Sequence, residues 1–267
     1  MIGPAPAKIN LALVVGPRRP DGKHELVTVF HRVDLGDRVS IEPATDTRVD
    51  GFPEDTIVRA ALESLAAPHG WRVHIQKKIP LAAGLGGGSS DAATALRLAN
   101  AQLAAPRTEQ ELHEIAARAG ADVPFFLRDG PQLGTGDGTT LEAVELPQDF
   151  VVLLALPKDA AKPSTAAVYA AFDERGGEAG FDERAAALRS ALAAVRRPRD
   201  LATLPANDLA QSPLADELRA HGAFRADVSG AGPSVYGLFH RTADARRAAR
   251  ALGRSARIWV TIPAWYG

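Results

Sequence analysis

Four glycines fall within the five residues Gly84 to Gly88, inside the segment Pro80 to Asp91, P-L-A-A-G-L-G-G-G-S-S-D. Without a Cβ, such residues let the backbone take positive φ and come close to a bound group. Two hydroxyls, Ser89 and Ser90, follow at the expected start of a helix. Its first N–H groups have no intrahelical partner and carry the positive end of the dipole. Together these make an anion site, most naturally for the phosphates of a nucleotide. One or two glycines would suffice for a turn that merely joins strand to helix. The segment is not a Walker A loop, because Ser89 follows Gly88 where lysine is required. Gly84 and Gly86 begin a dinucleotide fingerprint, but Ser89 holds the third glycine's place. The acidic residues about 20 positions on, Glu109 and Glu111, lie in a stretch of helical pattern.

Other residues carry chemistry by type and position. Lys8 and Asn10 share one face of an alternating strand, in P-A-K-I-N-L, opposite Ile9, Leu11, Leu13 and Val15. Beside a phosphate loop, that lysine reads as more than a solvated strand face. Asp122 lies in G-A-D-V-P-F-F, between a helix-ending glycine and a proline at a helix start. It reads equally as an N-cap or as a carboxylate that accepts a substrate hydroxyl proton. Ser229 to Ser234, S-G-A-G-P-S, is a second small-residue turn, either a plain hairpin or a close approach to an anion. Asn207-Asp208-Leu209 is a weaker signal that an ordinary cap would explain.

These residues need elements to hold them. Strands are expected over Ala7 to Val15, Leu26 to Val33 and Arg38 to Glu42, with turns at Pro20-Asp21-Gly22 and Gly36-Asp37, as an antiparallel meander. A helix over Asp55 to Ala67 precedes the strand Trp71 to Lys77 and the glycine loop. Thr108 and Glu111 spell a capping box for a helix that Gly120 ends. A short helix near Val123, glycine-rich turns at Gly134 to Gly138 and a strand over Thr140 to Leu146 complete the first half. Pro147 is the expected boundary between domains 1–147 and 148–267. Beyond it, Val151 to Leu156 reads as a strand buried on both faces. Helices over Thr165 to Glu174 and Asp182 to Arg196 follow, then strands Phe224 to Val228 and Ser234 to Phe239. A helix from Thr242 and a strand Ile258 to Ile262 close a β-α-β-β-α-β pattern with additions.

At 267 residues, 46% apolar and 24% charged, the chain has the composition of a globular protein of one or two domains. A net charge of −1 provides no field for nucleic acid or an anionic membrane, so neither is expected as a partner. No window approaches the roughly 20 apolar residues of a membrane span, and the N-terminus lacks a signal-peptide pattern, so the expected location is the cytoplasm. The absence of cysteine excludes disulfides, thiolate metal sites and a cysteine nucleophile. A single methionine, frequent proline and an excess of arginine over lysine fit a thermophilic source or a GC-rich genome.

Taken together, P-A-K-I-N-L, G-L-G-G-G-S-S-D-A-A, G-A-D-V-P-F-F and V-S-G-A-G-P-S resemble the small-molecule kinase superfamily of galactokinase, homoserine kinase, mevalonate kinase and phosphomevalonate kinase. Within it, D-G-K-H-E-L, the triple glycine and P-S-T-A-A-V-Y are similar to the branch that phosphorylates a cytidine diphosphate-linked methylerythritol in non-mevalonate isoprenoid biosynthesis. The resemblance implies a two-domain α+β fold, with an N-terminal domain like the second domain of ribosomal protein S5 and a ferredoxin-like C-terminal domain. It implies ATP and Mg²⁺, a small-molecule acceptor, Lys8 as catalytic lysine and Asp122 as catalytic base. ATP would be held by Pro80, Leu81, Ala82, Ala83, Gly84, Leu85, Gly86, Gly87, Gly88, Ser89 and Ser90, with Asp55 and Lys77 toward the adenosine. Asn10 would position the methylerythritol end and His24 the cytosine, with Thr165 and Tyr169 lining the cleft.

Two departures stand out. Lys23 occupies the position of the branch's usual tyrosine in D-G-Y-H, so that one face of the expected cytosine sandwich is missing or supplied differently, and G-T-G-D-G replaces an expected G-x-G-E. The nearest rivals are a homoserine or mevalonate kinase on the same fold. An RNA-binding module and an NAD-dependent oxidoreductase have less behind them, given the charge balance, three Trp, three Tyr and the broken fingerprint. No Asp or Glu stands out as a Mg²⁺ ligand.

Overall fold

The opening alternation becomes a 17-residue strand, β1 (Ile2–Arg18), antiparallel to the 21-residue β2 (His24–Ala44). The computed structural model describes residues 1–52, 55–159 and 164–264. The expected turn between them is present, with Gly22 at φ +82° and its N–H on the Arg19 carbonyl. The turn expected at Gly36-Asp37 is not. β2 runs through it, and the register jumps from Pro6↔Gly36 to Ala7↔Val33, so Asp34 and Leu35 bulge out of the ladder. A bulge absorbs the glycine without reversing the chain.

β3 (Arg48–Asp50), α1 (Ile57–Ser64) and β4 (Gly70–Gln76) follow, then α2 (Gly87–Asn100), α3 (Glu109–Ala119) and α4 (Val123–Leu127). The capping box is formed, with Thr108 Oγ1 accepting from Glu111 N and Glu111 Oε2 accepting from Thr108 N. β5 (Gln132–Gly136) and β6 (Thr140–Ala143) complete a six-stranded sheet ordered β3-β4-β2-β5-β6, with β1 also on β2. Gly134 and Gly136 therefore lie within β5, and the turn is confined to Asp137 to Thr139. This sheet is not a simple meander, because β4 and β5, not a third consecutive strand, are the further neighbours of β2.

In the second half come β7 (Val151–Pro157), α5 (Thr165–Glu174), α6 (Phe181–Ala194), α7 (Pro213–Ala220), β8 (Arg225–Val228), β9 (Val235–Phe239), α8 (Thr242–Leu252) and β10 (Ala256–Thr261). Their antiparallel sheet is ordered β10-β7-β9-β8. β7 is buried on both faces, as its unbroken apolar run predicts. Val152, Leu154 and Leu156 pack toward Ile9, Leu11 and Val29 of the first sheet, while Val151, Leu153 and Ala155 pack with Leu218, Ala248 and Leu252 of α7 and α8. On the far side of the first sheet, Val39, Ile41, Val73 and Ile75 are covered by Leu62, Leu96, Ile115 and Phe125 of α1 to α4.

The junction of the two sheets holds a titratable group. His31 is buried, its Nδ1 2.7 Å from the Arg32 carbonyl and its ring edge-on to Phe150. Burial lowers its pKa from 6.5 to about 4. The unfolded chain thus binds a proton near pH 6.5 that the folded chain refuses until about pH 4, so stability is lost as pH falls through that window. Relative to His31→Gln, the wild type should lose on the order of 3 kcal/mol between pH 7 and pH 4. Urea midpoints at pH 7, 5.5 and 4 check this, and a difference constant with pH would overturn it.

Candidate active site

A cleft of about 760 Å³ opens between the strands β1 and β2, the glycine loop, α4, α5 and the S-G-A-G-P-S turn. Its floor comes from strand periodicity. His24, Leu26, Thr28 and Phe30 of β2 face the cleft at every second position. On β1 the period is broken. Lys8 and Asn10 face the cleft, but a bulge between Asn10 and Ala12 shifts the parity, so Leu13 faces it too. Ile9 and Leu11 therefore share a core with Ala12 and Val14, while Leu13 and Val15 pack elsewhere, with Phe172 and Leu209. The single apolar face expected over Ile9 to Val15 is divided by the extra residue.

Lys8 and Asn10 are 4% and 3% exposed, so they are not a solvated face. Lys8 Nζ donates to Asn10 Oδ1 (2.6 Å) and lies 3.3 Å from Asp122 Oδ2. Asn10 Nδ2 donates to Thr28 Oγ1 (2.8 Å), which in turn donates to the Ala12 carbonyl (2.8 Å). Asp122 stands at the N-cap position of α4, but its side chain caps nothing. The carboxylate instead faces the lysine, one-third exposed to the cleft. Of the two readings open from sequence, the side-chain cap is not formed.

The glycine loop joins β4 to α2. Gly84 and Gly86 take φ +78° and +68°, the latter as the left-handed residue before α2. A Cβ on Gly86 would lie 2.9 Å from Lys8 Cγ, so glycine here lets the loop lie on the lysine stem. The first helical bond of α2 is Ser90 N to Gly86 O, which leaves the preceding amides available to an anion. The loop is tied down by Lys8 N to Leu85 O (2.9 Å), Ser234 N to Ala83 O (3.1 Å) and Ser229 Oγ to Gly84 O (2.9 Å). Ala82, Gly84, Gly86 and Ser89 line the cleft, whereas Ala83 and Leu85 turn into the core and Ser90 is buried.

Asp55 and Lys77, expected toward the adenosine, do not line this cleft. Asp55 accepts from the Val58 and Arg59 amides and so caps α1. Lys77 is held by Asp37 Oδ2 (2.5 Å) and Asp91 Oδ2 (2.7 Å) beneath Gly87. Burial, reinforced by Asp37, pushes the Asp91 carboxyl up to about 7 against the pull of Lys77. Lys77 thus lies behind the loop, and Asp55 serves the start of α1.

The far end of the cleft holds His24, Thr165 and Tyr169. His24 Nε2 lies 2.7 Å from Asp173 Oδ1, and its ring stacks on Tyr169 at 4.8 Å. Asp173 also accepts from Arg18, and these hydrogen bonds, that of His24 foremost, hold its carboxyl below the ordinary range. Burial and the nearby charge of Asp122 push the Tyr169 phenol up to about 12, so it stays neutral. The two sequence departures meet here. Lys23 Nζ donates to Asp137 Oδ2 at 2.5 Å, and Thr139 Oγ1 donates to Asp137 Oδ1 at 2.6 Å. Burial opposes ionisation of Asp137, but Lys23 and Thr139 outweigh it and keep the pKa low.

Sequence reasoning passed over Asp173, Thr28 and Phe30. Asp173 was within reach of it: Thr165, Tyr169 and Asp173 recur at i, i+4 and i+8 on one helix face. Among the described residues, no three His, Cys, Asp or Glu side chains are grouped to hold a metal ion, and no helix is long and apolar enough to cross a membrane.

The family described as GHMP kinases N terminal domain matches residues 55–130, and GHMP kinases C terminal matches residues 204–257. A 4-diphosphocytidyl-2-C-methyl-D-erythritol kinase of Desulfitobacterium hafniense is 37% identical, covering 96% of this chain and 93% of that protein. A crystal structure of 4-(cytidine 5'-diphospho)-2C-methyl-D-erythritol kinase aligns with a TM-score of 0.77 at 32% identity, covering 99% of this chain and 100% of the other. The Methanococcus jannaschii mevalonate kinase aligns with a TM-score of 0.74 over 99% and 98% of the two chains, but at 12% identity it shares the fold alone. With a two-domain α+β architecture and this degree of likeness over nearly its whole length, the chain belongs to the 4-diphosphocytidyl-2-C-methyl-D-erythritol kinase family of GHMP kinases.

Proposed function

We propose that this kinase transfers the γ-phosphate of ATP to the 2-hydroxyl of 4-diphosphocytidyl-2-C-methyl-D-erythritol, in the cytoplasm. The observation that carries this reading is the buried Lys8 ammonium 3.3 Å from the Asp122 carboxylate, directly beside the glycine loop. The acceptor oxygen attacks the γ-phosphorus, the bond to the β–γ bridging oxygen breaks, ADP leaves, and Asp122 takes the hydroxyl proton. Lys8 holds Asp122 in place and balances charge on the transferring group. The free amides at the start of α2 hold the phosphates, whose charge a Mg²⁺ ion bound with ATP would neutralise. Residues 1–147 and 148–267 serve as the two domains between which donor and acceptor meet. Asn10 positions the methylerythritol end, while His24, Thr165 and Tyr169 take the cytidine end.

The test is ATP-dependent ADP release with the cytidyl substrate, beside homoserine and mevalonate. Turnover with the cytidyl substrate alone is expected. Turnover with either rival in its place would reassign the acceptor.

In this reading Lys23, drawn to Asp137, leaves one face of the cytosine without an aromatic partner. Stacking of a base on an aromatic side chain is worth about 1–3 kcal/mol. Lys23→Tyr should therefore lower KM for the cytidyl substrate by about fivefold or more, with kcat within about threefold of wild type. An unchanged or higher KM would show that Lys23 already supplies what a tyrosine would.

A further inference from the structure

The Asn207-Asp208 dipeptide, which as sequence looked like an ordinary cap, is built into the site from behind. Asn207 is buried with every polar side-chain atom used. Its Nδ2 donates to the carbonyls of Val228 (3.0 Å) and Gly230 (2.7 Å), and its Oδ1 accepts from Leu209 N (2.8 Å). Its own N–H donates to Asp227 Oδ2 (3.0 Å). Gly230, at φ +58°, packs directly on the catalytic cluster: a Cβ there would lie 3.4 Å from both Lys8 Nζ and Asn10 Oδ1, and 3.5 Å from Gly84 O. The adjoining Ser229 Oγ accepts from Asn10 N (3.3 Å) and donates to Gly84 O (2.9 Å).

Asp208 grips the other side of the same cluster. Its Oδ2 accepts from Val15 N (2.9 Å) and from Arg184 Nε (3.2 Å), and its N–H donates to the Leu13 carbonyl (2.9 Å). Two successive residues thus fix the turn above Lys8 and the strand that carries Lys8.

We infer that Asn207 is a positioning residue for phosphoryl transfer, acting through Gly230 and Ser229 to hold Lys8 and Asn10 against the glycine loop. This rests on the assignment of Lys8 and Asp122 above. Without the carboxamide, two inward carbonyls lose their donor and a turn built on left-handed glycines is free to relax. A shift of about 1 Å in a reacting group can cost on the order of 10²-fold in rate.

The experiment compares Asn207→Ala, Ser229→Ala and the double variant in the full-length enzyme, with thermal midpoints, Kd for ATP, and KM and kcat with the cytidyl substrate. In Asn207→Ala, kcat should fall about 10- to 100-fold while the ATP Kd and the substrate KM stay within about threefold. Because both residues act through one turn, the double variant should lose little more than the worse single variant. Wild-type kcat in folded Asn207→Ala overturns the inference. So do losses that multiply in the double variant, or a rise in Kd and KM matching the fall in kcat, which would mark general loosening. If Asn207→Ala does not fold, Ser229→Ala decides alone, and wild-type kcat there overturns the inference. Failure of the underlying reading looks different: the wild type would then not use the cytidyl substrate, or Asp122→Asn would turn over normally.

Discussion

Asp122→Asn is expected to lower kcat by about 10²- to 10⁴-fold and to leave the Kd for ATP within about threefold of wild type. The substitution keeps the shape of the side chain and its place before α4, but a carboxamide cannot accept the acceptor hydroxyl's proton. Nothing in the cap is lost, because the Asp122 side chain makes no hydrogen bond to the helix it precedes. Lys8 keeps Asn10 Oδ1 as a partner at 2.6 Å, so the buried ammonium is not stranded. The range is wide because a loose phosphoryl-transfer transition state requires little early deprotonation, and positioning shares the work with basicity. Steady-state turnover together with calorimetric ATP titration separates the two quantities. Wild-type turnover would remove Asp122 from the mechanism, and lost ATP binding would make it a support of the nucleotide site.

What the sequence made legible follows the range of the interactions. The glycine loop, the capping box at Thr108, the doubly buried strand at Val151 and the helix at Thr165 are local patterns, and each appears where its pattern lies. Lys8 and Asn10 were legible as a pair because a strand repeats every two residues. Their burial was not, because it depends on Ser229 and Asp122 arriving from elsewhere in the chain. The extra residue near Leu11 was equally invisible: a bulge is set by what the partner strand offers, and it divided an apolar face that alternation alone would keep whole. Gly36-Asp37 has the residues of a turn, yet Asp37 is buried and accepts from Lys77 Nζ and from the Lys78 and Ile79 amides. Those tertiary bonds outweigh local turn preference. Lys77 likewise has its charge committed to Asp37 and Asp91, partners that periodicity does not reveal, whereas Asp55 caps α1 through the nearby Val58 and Arg59 amides. Lys23 and Asp137 are the converse case, two separate oddities of sequence that become a single ion pair once β2 and β5 lie side by side.

Gly84→Ala should be the most damaging single-methyl change in the loop, raising the Kd for ATP and lowering kcat by at least tenfold each. Gly84 sits at φ +78°, where an alanine costs about 1–2 kcal/mol. Its Cβ would also collide with the Ser229 carbonyl oxygen and lie 3.0 Å from that of Gly232. Both obstacles are backbone, so no rotamer change relieves them; either the loop or the S-G-A-G-P-S turn must move. Movement of either one breaks the Ser229 Oγ bond to Gly84 O, and with it the link between the phosphate loop and Asn10. A loss of stability of about 2 kcal/mol or more, seen as a thermal midpoint lower by about 4 °C or more, should accompany the loss of activity. Gly88 provides the contrast. It has no positive φ, and its Cβ would meet only Ile57 Cδ1 at 3.5 Å, an ordinary contact. Gly88→Ala lies within α2, where alanine is favoured over glycine by about 1 kcal/mol, so its thermal midpoint should hold or rise. Any activity that Gly88→Ala loses then measures crowding of the phosphates by the new methyl group. Equal thermal midpoints for the two variants would mean that the Gly84–Ser229 contact does not constrain the loop, and the anchoring of the phosphate site to the second sheet would have to be sought elsewhere.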